Sequence, residues 1–94
     1  MATGLRLDFS NLGLDDYDRI CEALNFPGEW PDGLLAHVAA GADGKLRVMD
    51  VWESRQQFDR FVEERLQTAV SEAMGERAEA PQVSETELHA FYVR

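Results

Sequence analysis

The stretch "LLAHVAAGADGKLRVMDVWES", residues 34–54, decides the fold. Asp43-Gly44 is a strong hairpin signal, because a two-residue turn that matches strand twist needs positive φ at both positions. "LLAHVAA" before it and "KLRVMDVW" after it read as the paired strands. Trp-Glu-Ser then breaks the pattern. Ser54 followed by Gln57 is a capping box, which opens a helix. One acid, Asp50, stands inside the otherwise apolar end of the second strand, two residues before Trp52. A buried acid without a partner is costly, so the strand has to supply it with one.

Hairpin arithmetic names the candidates. A two-residue turn pairs Ala42 with Lys45, and it sets His37 opposite Asp50, Ala39 opposite Val48 and Leu35 opposite Trp52. A four-residue loop closed by Gly41 and Leu46 keeps those pairs. A three-residue loop with a bulge at Gly44 shifts the register by one and sets His37 against Met49.

Outward from the hairpin, the periods alternate. "LRLDF", residues 5–9, puts Leu5, Leu7 and Phe9 on one face of a strand. Tyr17, Ile20, Cys21 and Leu24 then follow helical spacing, with Gly13 as N-cap and Leu12 and Tyr17 placed as a hydrophobic staple. Asp15 and Asp16 fall in the first turn, where the helix dipole favours acids. "NFPGEWPDG" is a loop. The second helix buries Phe58, Phe61, Val62, Leu66, Ala69, Val70 and Ala73, and Gly75 ends it. "ERAEAPQVS" reads as a connector and "ETELHAFYV", residues 85–93, as the last strand.

The order β-α-β-β-α-β predicts an α+β, ferredoxin-like domain, a four-stranded antiparallel sheet with both helices on one face. Residues 1–94 make one domain. The opposite sheet face is bare and wants a partner. A net charge of −9 argues against nucleic acid and anionic membrane surfaces. The single cysteine, Cys21, fits a reducing compartment, and the N-terminus lacks an apolar signal segment, so a cytoplasmic location is expected.

This order, with "VMDVWES" leading into "RQQFDRFVEERL", resembles the dimeric α/β-barrel superfamily, in particular its small antibiotic-biosynthesis-monooxygenase-type members, over residues 4–93. The resemblance implies a homodimer whose two sheets pack into a barrel, with a pocket between each sheet and its helices. Some relatives oxidise phenolic polyketide intermediates with molecular oxygen and neither metal nor flavin. Others degrade haem, isomerise lactones or only bind ligands. The haem-degrading members hold iron through a histidine on the second helix, and no histidine lies between Ser54 and Met74, so haem is not expected; the cofactor-free oxygenases of the superfamily imply that no other cofactor is needed.

If His37 and Asp50 pair on the pocket face, they are the one evident general base and its orienter. Tyr17, Phe26, Trp30 and Trp52, with Phe58 from the second helix, would wall a site for a hydrophobic, aromatic small molecule. The expected function is then a cofactor-independent monooxygenase, or a related isomerase or cyclase, on a polyketide-like substrate. The alternative is a non-catalytic ligand-binding or dimeric assembly protein, in which the pair is a satisfied polar contact. Cys21 reads as core and His89 as structural or interfacial. No cysteine-histidine cluster has metal-ligand spacing.

Overall fold

The structure, a computed structural model, describes residues 2–94, so the expected domain is seen from Ala2 onward. Its elements are β1 (Thr3–Asp8), α1 (Leu14–Leu24), β2 (Leu34–Ala42), β3 (Lys45–Trp52), a long helix α2 over residues 55–74, and β4 (Gln82–Glu87). All strand pairs are antiparallel, in the order β2-β3-β1-β4. The β-α-β-β-α-β reading holds.

The barrel does not. The sheet is open, with β2 and β4 as free edges separated by β3 and β1. Closed barrels that just fit their side chains use about eight strands. Here four strands have one face filled by helices instead. The last strand also begins earlier than its apolar residues imply. β4 runs from Gln82 to Glu87, and Leu88 to Arg94 form no strand. His89 therefore lies beyond the sheet.

Alternation explains the core. Leu5, Leu7, Leu46, Val48 and Trp52 point to the helices and are buried. Ile20 from α1 and Phe58, Ala69 and Met74 from α2 meet them. On the other face Asp8 holds Arg6 at 3.0 Å and Arg47 at 2.7 Å, while Val38 and Met49 stay half exposed. The hydrogen bond from Arg47 is the largest of the effects that hold the Asp8 carboxyl below its ordinary value.

The helix ends follow their capping residues. Gly13 is the N-cap of α1, and its N–H donates to the Asp16 carboxylate at 3.0 Å. Asn25 ends α1 in the left-handed region. Ser54 accepts from the Gln57 N–H at 3.2 Å, but the Gln57 side chain takes the Ser54 hydroxyl instead of its backbone N–H, so the box is half made. α2 departs from a plain helix. It is α-helical over Arg55–Phe61, π-wound over Val62–Leu66 and α-helical again over Gln67–Met74. Gly75 ends it with φ +65°.

Candidate functional site

The turn places the site. Asp43 (φ 53°) and Gly44 (φ 78°) both take the left-handed region, closing a two-residue turn in which Ala42 pairs with Lys45. That register sets His37 opposite Asp50 and Ala39 opposite Val48, and it rules out the one-residue shift to Met49. The pairing then slips between Leu34 and Ala36, so Leu34 rather than Leu35 faces Trp52. The extra residue of this bulge turns Leu35 outward, where it is 42% exposed.

Asp50 is buried and fully engaged. One carboxylate oxygen lies 2.6 Å from His37 Nδ1, and the other accepts the Trp52 indole N–H at 3.1 Å. With the carboxylate accepting at Nδ1, the imidazole proton sits there and Nε2 is left as an acceptor. The Tyr17 hydroxyl fills that position at 2.7 Å. A continuous chain, Tyr17–His37–Asp50–Trp52, thus links α1, β2 and β3. Burial, the largest cause, pushes the Tyr17 phenol well above its ordinary value, so it remains a donor. The Cys21 thiol one turn on is also raised, chiefly by burial, which fits an unreactive core thiol.

Aromatic rings close around the histidine. Tyr17 stacks on His37 with ring centres 5.9 Å apart, and Phe26 meets it edge-on at 5.0 Å. Trp30 stacks on the far side of Phe26 at 5.3 Å and anchors its indole N–H on the Leu34 carbonyl at 2.7 Å. It is about half exposed and stands one layer outside the cavity. Trp52 packs edge-on to Phe58 at 5.6 Å.

Between sheet and helices lies a cavity of about 70 Å³, lined by Tyr17, Phe26, His37, Asp50, Trp52 and Phe58 among others. It is well below the ~300–1,000 Å³ of typical small-molecule sites. The structure brings together six of the seven expected site residues and leaves Trp30 outside. Among the described residues no group of three or more His, Cys, Asp or Glu side chains is placed to hold a metal ion. No described helix is long and apolar enough to cross a membrane.

Sequence reasoning missed two features. Helical spacing shows that Tyr17 faces inward, but nothing in it announces the bond to Nε2. Arg65, in the π-wound turn, donates to the carbonyls of Leu24 (3.2 Å) and Glu29 (2.9 Å) and lies over the Phe61 ring. It ties the aromatic loop after α1 to α2, and an exposed-looking arginine gives no sign of that role.

With the geometry established, comparison with known proteins places the fold. No family model matches the chain, and no curated protein is similar to it in sequence. Solved structures are similar along nearly its whole length. A Chloroflexus aurantiacus protein assigned to the antibiotic biosynthesis monooxygenases shares 18% identity over 99% of this chain and 98% of its own, with a TM-score of 0.68. SnoaB, a cofactor-independent oxygenase from Streptomyces nogalater, shares 10% over 96% and 94%, at 0.64. The ActVA-Orf6 monooxygenase of Streptomyces coelicolor, solved with Nanaomycin D, shares 15% over 99% and 91%, at 0.59. The chain thus shares the β-α-β-β-α-β fold of these solved structures.

Proposed function

We propose that this protein is a cofactor-independent monooxygenase of small hydrophobic phenolic molecules, with His37 as base and Asp50 as its orienter. The observation that carries the reading is the Tyr17–His37–Asp50 chain at the wall of an apolar cavity. Its likeness in fold to two enzymes described as a cofactor-independent oxygenase and a monooxygenase supports it.

The chemistry follows from the donors and acceptors. An acidic substrate C–H displaces the Tyr17 hydroxyl from Nε2, and His37 takes its proton while Asp50 stabilises the imidazolium. Tyr17, held neutral, turns its O–H to the substrate oxygen where negative charge gathers. The electron-rich carbanion then reduces oxygen. A CH₂ group and O₂ become a C=O group and water, a four-electron oxidation of carbon matched by full reduction of O₂.

The test is oxygen uptake with 1,8-dihydroxyanthrone as probe. His37→Ala is expected to lower the rate by about 100-fold or more, the usual contribution of a general base, with the circular dichroism spectrum unchanged. Undiminished uptake in that variant removes His37 from the role.

One observation favours a second reading. The cavity of about 70 Å³ is too small for a ring system without movement of its walls, as in a non-catalytic protein whose core fills its own pocket. Absence of uptake above the buffer rate with every phenolic probe decides for it. In either reading we propose that the chain self-associates through its bare sheet face, where Val38 and Met49 are exposed. Sedimentation at a monomer's mass throughout the micromolar range rejects that association.

A further inference from the structure

Two hollows share one wall. The cavity at His37 and a wider groove beside it are both lined by Leu7, Phe9, Phe58, Leu66 and Val70. The groove has a volume of about 670 Å³. Small-molecule sites are typically ~300–1,000 Å³. It lies between α2 and the helix-facing side of β4, where the helix covers the sheet only in part. Val83 on that side is 38% exposed.

The groove has defined ends. At one end Arg55 crosses from α2 to β4, bonding Glu85 at 2.7 Å and Asp59 at 2.9 Å. Its guanidinium lies 5.7 Å from the centre of the Phe58 ring. At the other end the connector between α2 and β4 is pinned to the loop after β1. Ser10 donates to Glu79 at 2.7 Å, and Asn11 donates to the Arg77 carbonyl. The floor is apolar and the rim is acidic. Asp59, Glu63 and Glu79 face the groove, and the charge of Arg55 is already met by its two carboxylates.

The geometry points to this groove as the outer half of the substrate site, holding an elongated, uncharged, apolar molecule whose inner end passes Phe58 to reach His37. The inference deepens the proposed function and rests on it for the chemistry at His37. A turn of the Phe58 side chain joins the two hollows, and rotamer changes of this kind are common on binding. The joined space takes the ring system that the inner cavity alone cannot. The acidic rim rejects anions, since like charges set against each other are costly.

The experiment titrates the full chain with two fluorescent probes of similar shape, uncharged N-phenyl-1-naphthylamine and anionic 8-anilinonaphthalene-1-sulfonate. The uncharged probe is expected to bind saturably and the anionic one about 10-fold more weakly or worse. Val83→Trp, and independently Gln67→Trp from the helix side, fill the groove and should each weaken the uncharged probe about 10-fold. Both positions are exposed and outside the inner cavity, so neither change burdens the core. Absence of saturable binding, equal affinity for the two probes, or wild-type binding by both variants overturns the inference. The dyes are not turned over, so failure here and failure of the oxygen-uptake experiment are read separately.

Discussion

Trp52 donates its indole N–H to Asp50, two residues earlier in the same strand. Residues i and i+2 of a strand share a face, so the tryptophan that closes β3 also satisfies the acid buried in it. The second carboxylate oxygen is then free for His37. Both oxygens of Asp50 are thereby bonded, and in the proposed function the same carboxylate orients the base.

Removing its charge should cost stability. Asp50→Asn keeps the shape but sets an amide N–H₂ against one of two donors, and is expected to lower unfolding free energy by about 2 kcal/mol. Trp52→Phe leaves one oxygen unpaired and a void where the indole was buried, and should cost about 2–4 kcal/mol. Urea denaturation measures both. Wild-type midpoints would show that the chain carries no stabilising weight.

Alkaline pH should act through Tyr17. Its phenol is raised in the folded chain above the ordinary 10.0, so the unfolded chain loses that proton first. The stability this provides is complete below pH 10 and falls as the pH climbs from there toward the folded value. Urea midpoints between pH 9 and 11 should decline less in Tyr17→Phe than in wild type. Equal slopes would mean that Tyr17 is not buried in this way.

Two glycines with positive φ should respond differently to alanine. At Gly33 (φ +91°) a new Cβ would come within 2.6 Å of the Gln57 side chain, whereas at Gly44 (φ +78°) it meets nothing within 4 Å. Gly44→Ala should cost about 1 kcal/mol from backbone strain alone and Gly33→Ala more, since Gln57 must also move. Thermal melts of the pair decide. A smaller loss at Gly33 would contradict the packing described for Gln57.

Arg65→Met should loosen the aromatic loop while leaving the core intact. It removes the bonds to Leu24 and Glu29, and Trp30 loses its fixed seat on Phe26. Acrylamide quenching of tryptophan fluorescence should rise, with no change in helical ellipticity. Quenching at the wild-type level would show that the loop holds itself.

Much of the fold was legible because each period is clean. Leu5-Leu7-Phe9 alternates, Tyr17-Ile20-Cys21-Leu24 follows a helix, and Asp43-Gly44 allows two registers, of which the structure takes the one that joins His37 to Asp50. The misses share a cause, which is structure carried by polar or silent residues. β4 is an edge strand, and its Gln82, Ser84 and Thr86 face away from the core, so apolar "LHAFYV" beyond it gave the stronger signal. The bulge at Leu35 and the π-wound turn at Val62–Leu66 have no compositional mark. Rings that would line the site could be named from sequence, but the volume between them depends on rotamers. Whether a sheet closes likewise depends on strand count and edges, which local patterns do not encode.

The free edge of β2 has a further consequence for handling the protein. Its nine residues, Leu34–Ala42, contain no Asp, Glu, Lys or Arg, so nothing on that strand repels a second copy of itself. Protection comes from the net charge of −9 spread over the whole chain. Such repulsion fades beyond a screening length of about 8 Å at physiological salt and about 3 Å at 1 M. Colloidal stability is therefore delegated to the solvent, and concentrated stocks will keep best at low ionic strength and well above the acidic pH at which those carboxylates discharge.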